Sequence, residues 1–129
     1  MEVLLVQDDP DTAFLAKRCL RNSVEGVTVH WAASCSQAVH LSERQTQPDL
    51  VILDLLLPDG NGVATWKAMA LHLTTQPALW ICSQLDPKAA GMMLDELDYP
   101  HHWIDPINQR HLLPDLLNKI RQHADLNAH

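Results

Sequence analysis

Polar residues stand directly after four short apolar runs in this chain. Gln7, Asp8 and Asp9 follow the run at residues 3–6, Asp54 follows Leu50–Leu53, Ser83 and Gln84 follow the run at 78–82, and Asp105 follows the run at 102–104. Asp54 is the most informative. Leu53 precedes it and Leu55, Leu56 and Leu57 follow it. A carboxylate among apolar neighbours is costly unless it is paired or bound to a metal. Its plainer reading is a strand-end aspartate that caps a loop. Asp8 favours the chemical reading, because it belongs at the end of an adjacent strand. Two carboxylates meeting there make a hard oxygen site suited to Mg²⁺, which takes few protein ligands and keeps several waters.

The elements that must position these groups alternate along the chain. The apolar runs at 3–6, 27–31, 50–53, 78–82 and 102–104 are short and nearly unbroken, as expected of strands covered on both faces. Between and after them lie amphipathic segments at 12–22, 36–44, 63–73, 88–97 and 107–124, whose apolar positions approximate a helical stripe. Pro114 falls inside the last of these. It either kinks that helix or sits in the first turn of one that starts near Leu113. Strand-helix alternation repeated five times implies an α/β fold with a doubly wound, five-stranded parallel sheet. In such sheets ligands bind beyond the carboxyl ends of the strands, where the polar positions above fall. Residues 1–124 read as the domain and 125–129 as a polar tail or the start of a linker.

Composition narrows the class. At 129 residues, one domain is expected; 47% hydrophobic and 19% charged residues exclude a disordered polar chain. Sixteen acidic against nine basic residues give a net charge of −7, a field that repels phosphate backbones and speaks against direct nucleic-acid binding. Cys19, Cys35 and Cys82 show no CxxC spacing, which argues against a disulfide framework or zinc ribbon and suits a reducing compartment. No apolar run approaches the roughly 18 residues of a spanning helix, and the first residues lack the basic start of a signal peptide. A cytoplasmic location away from membranes is therefore expected. His101 and His102, as successive strand residues, point to opposite faces and do not share an ion. The histidines at positions 30, 40, 72, 111, 123 and 129 lack ligand spacing and read as surface residues. Cys82 reads as a small buried hydrophobe, and Trp80 and Trp103 as core residues beneath the site.

Asp8-Asp9, then Asp54 within Leu53-Asp54-Leu55-Leu56-Leu57-Pro58-Asp59-Gly60-Asn61-Gly62, then Ser83, then the X-Pro pair Asp105-Pro106 together resemble the receiver domain of two-component response regulators. The resemblance covers essentially the whole chain. It implies a flavodoxin-like strand order of 2-1-3-4-5 and five helices. It implies that Asp54 accepts a phosphoryl group from a sensor histidine kinase or phosphotransfer protein. Asp8 and Asp54, with the backbone carbonyl of Leu56, would ligate Mg²⁺. Ser83 would move its hydroxyl onto the phosphoryl oxygens, and Pro58 and Gly62 would shape the turn that presents the loop. Such a domain is a phosphoacceptor with at most self-catalysed transfer rather than a turnover enzyme. It would control an effector domain or protein, with a homodimer through the face of the fourth helix, fifth strand and fifth helix left open.

Four positions depart from the family pattern. Asp105, twenty-two residues after Ser83, stands where the family places a lysine. An aspartate there reverses the sign next to the acceptor if it faces inward; it might instead bind a second cation or point to solvent. Gln7 stands where a first acidic residue is usual and would reach a metal only through water; in the alternative register Asp9 takes that place. Gln84 replaces a small residue and would narrow access. His102 replaces an aromatic switch residue and reads either as a titratable switch or as a half-exposed strand histidine. Lys88 could supply an amine from the loop after the fourth strand, but a solvated helix start is its plainer role. These departures raise a rival reading, a degenerate pseudo-receiver that binds partners without phosphorylation. A small flavodoxin-like enzyme ranks last, for want of a phosphate-cradling loop after the first strand.

Overall fold

The computed structural model describes residues 1–44 and 47–127. The elements run β1 (Glu2–Val6), α1 (Pro10–Ser23), β2 (Thr28–Ala32), α2 (Cys35–Glu43), β3 (Leu50–Leu53), β4 (Leu56–Leu57), β5 (Gly60–Asn61), α3 (Gly62–Ala70), β6 (Ala78–Ile81), α4 (Pro87–Leu94), β7 (His102–Trp103) and α5 (Leu113–Asn127). β4 and β5 form a separate two-residue antiparallel ladder. The main sheet has the order β2-β1-β3-β6-β7, parallel throughout. With β6 and β7 as its fourth and fifth strands, this is the doubly wound 2-1-3-4-5 order.

Register brings the strand ends to one edge. Val6 pairs with Ala32 and Leu53, Leu53 with Ile81, and Ile81 with Trp103. The ladder continues one residue further: Asp54 N–H donates to Val6 O at 3.0 Å, Cys82 N–H to Leu53 O at 3.1 Å, and Ile104 N–H to Ile81 O at 3.0 Å. The backbone under Gln7, Asp54, Cys82 and Ile104 is thus fixed by the sheet itself.

Alternation along the strands splits the core. Leu4, Val6, Val51, Leu53, Leu79 and Ile81 pack with Ala38, Trp66, Met69 and Ala90 from α2, α3 and α4. Val3, Leu5, Leu50, Ile52 and Trp80 pack with Ala13, Ala16, Leu20, Leu113 and Leu117 from α1 and α5. Burial on both faces explains why these strands read as unbroken apolar runs.

Helix starts follow side-chain caps. Asp9, Ser34, Asn61 and Asp86 accept N–H groups from the first turns of α1, α2, α3 and α4. Pro10 and Pro87 open α1 and α4, where a missing N–H costs nothing. The fifth helix begins at Leu113 with Pro114 in its first turn, the second of the two expected arrangements, rather than running kinked from 107; a single 3₁₀ turn, Arg110–Leu112, precedes it. It remains helical to Asn127, past the expected boundary at 124; residues 128–129 of the expected tail lie outside the described residues. Trp103 corrects a second expectation. It is 43% exposed on the edge strand, whereas Trp80 is 2% exposed.

Tyr99, in the connection from α4 to β7, is held at two points. Its ring lies 4.6 Å from that of Trp66, and its hydroxyl donates to Pro77 O at 2.6 Å.

Candidate functional site

Asp54 leaves β3 half-buried at the carboxyl edge of the sheet. Leu56 N–H donates to its Oδ1 at 3.0 Å, which fixes the carboxylate plane. Burial pushes its carboxyl above the ordinary value, and the negative charge of Asp8 adds to this. The Leu56 N–H, the Ser83 hydroxyl and the Gln7 side chain all pull the other way by hydrogen bonding to the charged form. These are the groups the fold brings onto Asp54, from β1, β6 and its own loop.

Gln7 is 8% exposed. Its Oε1 accepts Asp9 N–H at 3.1 Å, and its backbone carbonyl accepts the indole N–H of Trp31 at 2.7 Å. Asp8 is exposed beside it. Asp9 is turned to another task. It caps α1 through Thr12 N–H at 3.1 Å and the Thr12 hydroxyl, contacts that hold its carboxyl below the usual range. Ser83 Oγ accepts Leu85 N–H at 3.3 Å, which leaves its proton for Asp54. Gln84, Lys88 and His102 are exposed.

Asp105 is partly buried, and its carboxylate is bonded within its own turn. Its Oδ1 accepts Ile107 N–H at 2.9 Å and Asn108 N–H at 3.2 Å, and its Oδ2 accepts Asn108 Nδ2 at 2.5 Å. Its own N–H donates to Gln109 Oε1 at 2.8 Å. The carboxylate organises the turn that leads to α5. A cavity of about 10 Å³, room for one water-sized group, lies beneath Asp54 among Gln7, Thr12, Cys82, Pro106 and Ile107; Asp105 is not in its wall. Cys82 follows β6, only partly buried, and its thiol is pushed up to about 12 by burial and then by the charges of Asp105 and Asp54.

Close approach shapes the loop after Asp54. A Cβ on Gly62 would lie 2.6 Å from Asp54 O and 2.9 Å from Leu55 Cα, so only glycine fits. Gly62 N–H donates to Leu55 O at 2.9 Å, closing the loop onto its own start. Among the described residues, no three His, Cys, Asp or Glu side chains gather as a metal-binding group. His30 and His72, expected as plain surface residues, pair with Glu2 at 2.5 Å and Glu43 at 3.5 Å. Sequence reasoning missed the Trp31 contact, for which no local signal exists. It also missed the turn-forming role of Asp105, for which the string Asp-Pro-Ile-Asn is a turn signal.

Comparison with known proteins follows the same lines. The family model for the response regulator receiver domain matches residues 3–99. The transcriptional regulatory protein CpxR of Escherichia coli is 32% identical over 124 residues, which cover 94% of this chain and 50% of that protein. The probable C4-dicarboxylate response regulator DctR of Bacillus subtilis is 29% identical over 100 residues, 76% of this chain and 44% of that protein. The chain spans about half the length of these curated relatives. The N-terminal domain of a response regulator/sensory box/GGDEF 3-domain protein from Carboxydothermus hydrogenoformans matches with a TM-score of 0.77 at 19% identity, covering 100% of both chains. A CheY-like receiver domain protein from Methanospirillum hungatei matches with a TM-score of 0.75 at 22% identity, covering 96% of each. Those two structures speak to the fold alone. No helix among the described residues is long and apolar enough to cross a membrane. Strand order, loop geometry and a family match over residues 3–99 give one conclusion: the chain belongs to the response regulator receiver domain family.

Proposed function

We propose that this chain is a phosphoacceptor switch in cytoplasmic two-component signalling. Asp54 accepts a phosphoryl group from a sensor histidine kinase or phosphotransfer protein, and the charge biases a face that binds an effector domain or protein. The observation that carries this reading is a half-buried carboxylate held by Leu56 N–H at 3.0 Å, with the Ser83 hydroxyl and the Gln7 side chain pulling its carboxyl back down against the effect of burial. In the transfer, a carboxylate oxygen of Asp54 bonds to phosphorus as the bond to the donor imidazole nitrogen breaks, and the electron pair leaves with that nitrogen. Positioning and charge stabilisation do most of the work in such reactions. Leu56 N–H holds the nucleophile's plane, and the Ser83 proton is free to follow the added oxygens.

The donors fit Mg²⁺. Asp8 and Asp54 follow β1 and β3, which pair in register at Val6 and Leu53, so two hard oxygen groups stand at neighbouring strand ends. The Leu56 carbonyl is the third donor, and Gln7 would act through water, leaving a site weaker by one charge than the family's usual set. Bound there, the cation offsets charge on the transferring phosphoryl group.

A second reading, the pseudo-receiver, is favoured by one observation: among the described residues no lysine or arginine pairs with Asp54, and Asp105, which the resemblance aligns with the family's lysine, is bonded within a turn. Intact mass after incubation with Mg²⁺ and acetyl phosphate separates the two, with Asp54→Ala as control. An adduct on the wild type alone supports the switch. No adduct, with no change in tryptophan fluorescence on adding Mg²⁺ and beryllofluoride, supports the phosphorylation-independent module.

A further inference from the structure

The loop that carries the acceptor is fastened to a helix that contributes nothing to the site. Asp59 Oδ1 accepts Cys35 N–H at 2.7 Å and Oδ2 accepts Ser36 N–H at 3.1 Å. Both are first-turn donors of α2, which have no partner within the helix. The rest of that terminus is already served. Ser34 Oγ accepts Gln37 N–H at 3.2 Å, and Gln37 Oε1 accepts Ala33 N–H at 2.8 Å. Cys35 Sγ meets Thr65 Oγ1 at 2.6 Å, and a Cβ at Gly60 would lie 3.0 Å from that sulfur, so α2 and the loop are in contact beyond the Asp59 bonds. From Asp59 the constraint runs inward. Leu57 pairs with Gly60 and Leu56 with Asn61, and Leu56 N–H holds Asp54 Oδ1 at 3.0 Å.

We infer that Asp59 is a positioning residue for the acceptor, latching the β4–β5 loop to α2 so that Leu56 N–H stays on the Asp54 carboxylate. The inference rests on Asp54 being the phosphoacceptor. It assigns α2, on the far side of the sheet's edge from α5, a part in setting acceptor geometry. A charged group at a helix N-terminus suits the role, because the helix dipole favours it there. The two N–H groups hold the Asp59 carboxyl below the usual range, so the latch stays charged across the neutral range.

The test compares Asp59→Ala, Asp59→Asn and Ser34→Ala with the wild type. Ser34→Ala removes a cap from the same helix end without touching the loop. Two quantities are read: amide hydrogen exchange at Leu56 by NMR, and the rate of adduct formation with acetyl phosphate and Mg²⁺ by intact mass. The expected result is Leu56 exchange about fivefold faster in Asp59→Ala, the scale of a lost cap, with slower adduct formation. Asp59→Asn, which keeps one acceptor oxygen, falls between, and Ser34→Ala leaves both readings at the wild-type level. Unchanged Leu56 exchange in Asp59→Ala overturns the latch. Equal changes in Asp59→Ala and Ser34→Ala overturn it too, because the effect would then be loss of α2 alone. If the wild type takes no phosphoryl group, the acceptor reading fails, while the exchange measurement still decides the latch.

Discussion

Asp105 offers the sharpest test of the proposed site. Its carboxylate accepts two backbone N–H groups and the Asn108 amide, at 2.9, 3.2 and 2.5 Å. Bonds of this kind at a partly exposed turn behave like a helix cap, whose removal costs about 1–2 kcal/mol. Asp105→Ala is therefore expected to lower Tm by roughly 3–8 °C for a domain of this size. Asp105→Asn keeps one acceptor oxygen and should lose less. Asp105→Lys should melt near the alanine variant, because an ammonium can accept nothing. Chemistry should order differently. The charge that bears on Asp54 is that of Asp8, so the alanine and asparagine variants should form adduct at the wild-type rate, and only a lysine reaching Asp54 should speed it. Thermal unfolding followed by circular dichroism, beside intact-mass kinetics, reads both orders. An alanine variant that melts like the wild type refutes the turn role. An alanine variant as fast as the lysine variant means the carboxylate had faced the acceptor.

Four further outcomes follow from the geometry. The Asp54 carboxyl is raised above its ordinary 3.8 mainly by burial, so the folded state resists its ionisation. Its contribution to stability is fully present below that ordinary value and is lost as pH rises through the folded value. Asp54→Asn should accordingly raise Tm at pH 7 and not below pH 3.8, and Mg²⁺ should raise the Tm of the wild type only; a variant less stable at pH 7 would contradict this. Gly62→Ala places a Cβ 2.6 Å from Asp54 O, an overpacking expected to cost about 1–3 kcal/mol in denaturant unfolding, and unchanged stability would show that the loop has room. Acrylamide should quench Trp103, 43% exposed, far more than Trp80, 2% exposed, so Trp103→Phe should remove most of the quenching. Trp31, bonded to the Gln7 carbonyl at 2.7 Å, should be the tryptophan whose emission reports on site occupancy.

The sheet and its order were legible because both faces of the strands are covered, so Leu50–Leu53 and its neighbours stand out as unbroken apolar runs. Helix starts were off by a residue or two wherever the cap itself was a polar residue outside the stripe, as at Asp9 and Ser34. For the fifth helix the sequence left two arrangements open, and the structure takes the one that starts at Leu113. Ile107 continues its apolar stripe, but the Asp105 turn takes the N–H groups of Ile107 and Asn108 and delays the helix to Leu113. Within the site, positions followed from strand ends, whereas side-chain direction did not. That Asp9 serves α1 and Asp105 serves a turn depends on which donors lie nearby in space. The same limit hid Asp59, whose partners lie twenty-three and twenty-four residues away.

Tyr99 gives the connection before β7 a fulcrum. With its ring against Trp66 and its hydroxyl on Pro77, that point is fixed relative to α3 and to the start of β6. His102 lies three residues further along, a lever arm of at most about 10 Å of extended chain. His102 is also paired with Trp80 across the sheet, so the edge strand is tethered on both sides, by the ladder to β6 and by Tyr99 to α3, and the short span between the two anchors limits how far it can shift.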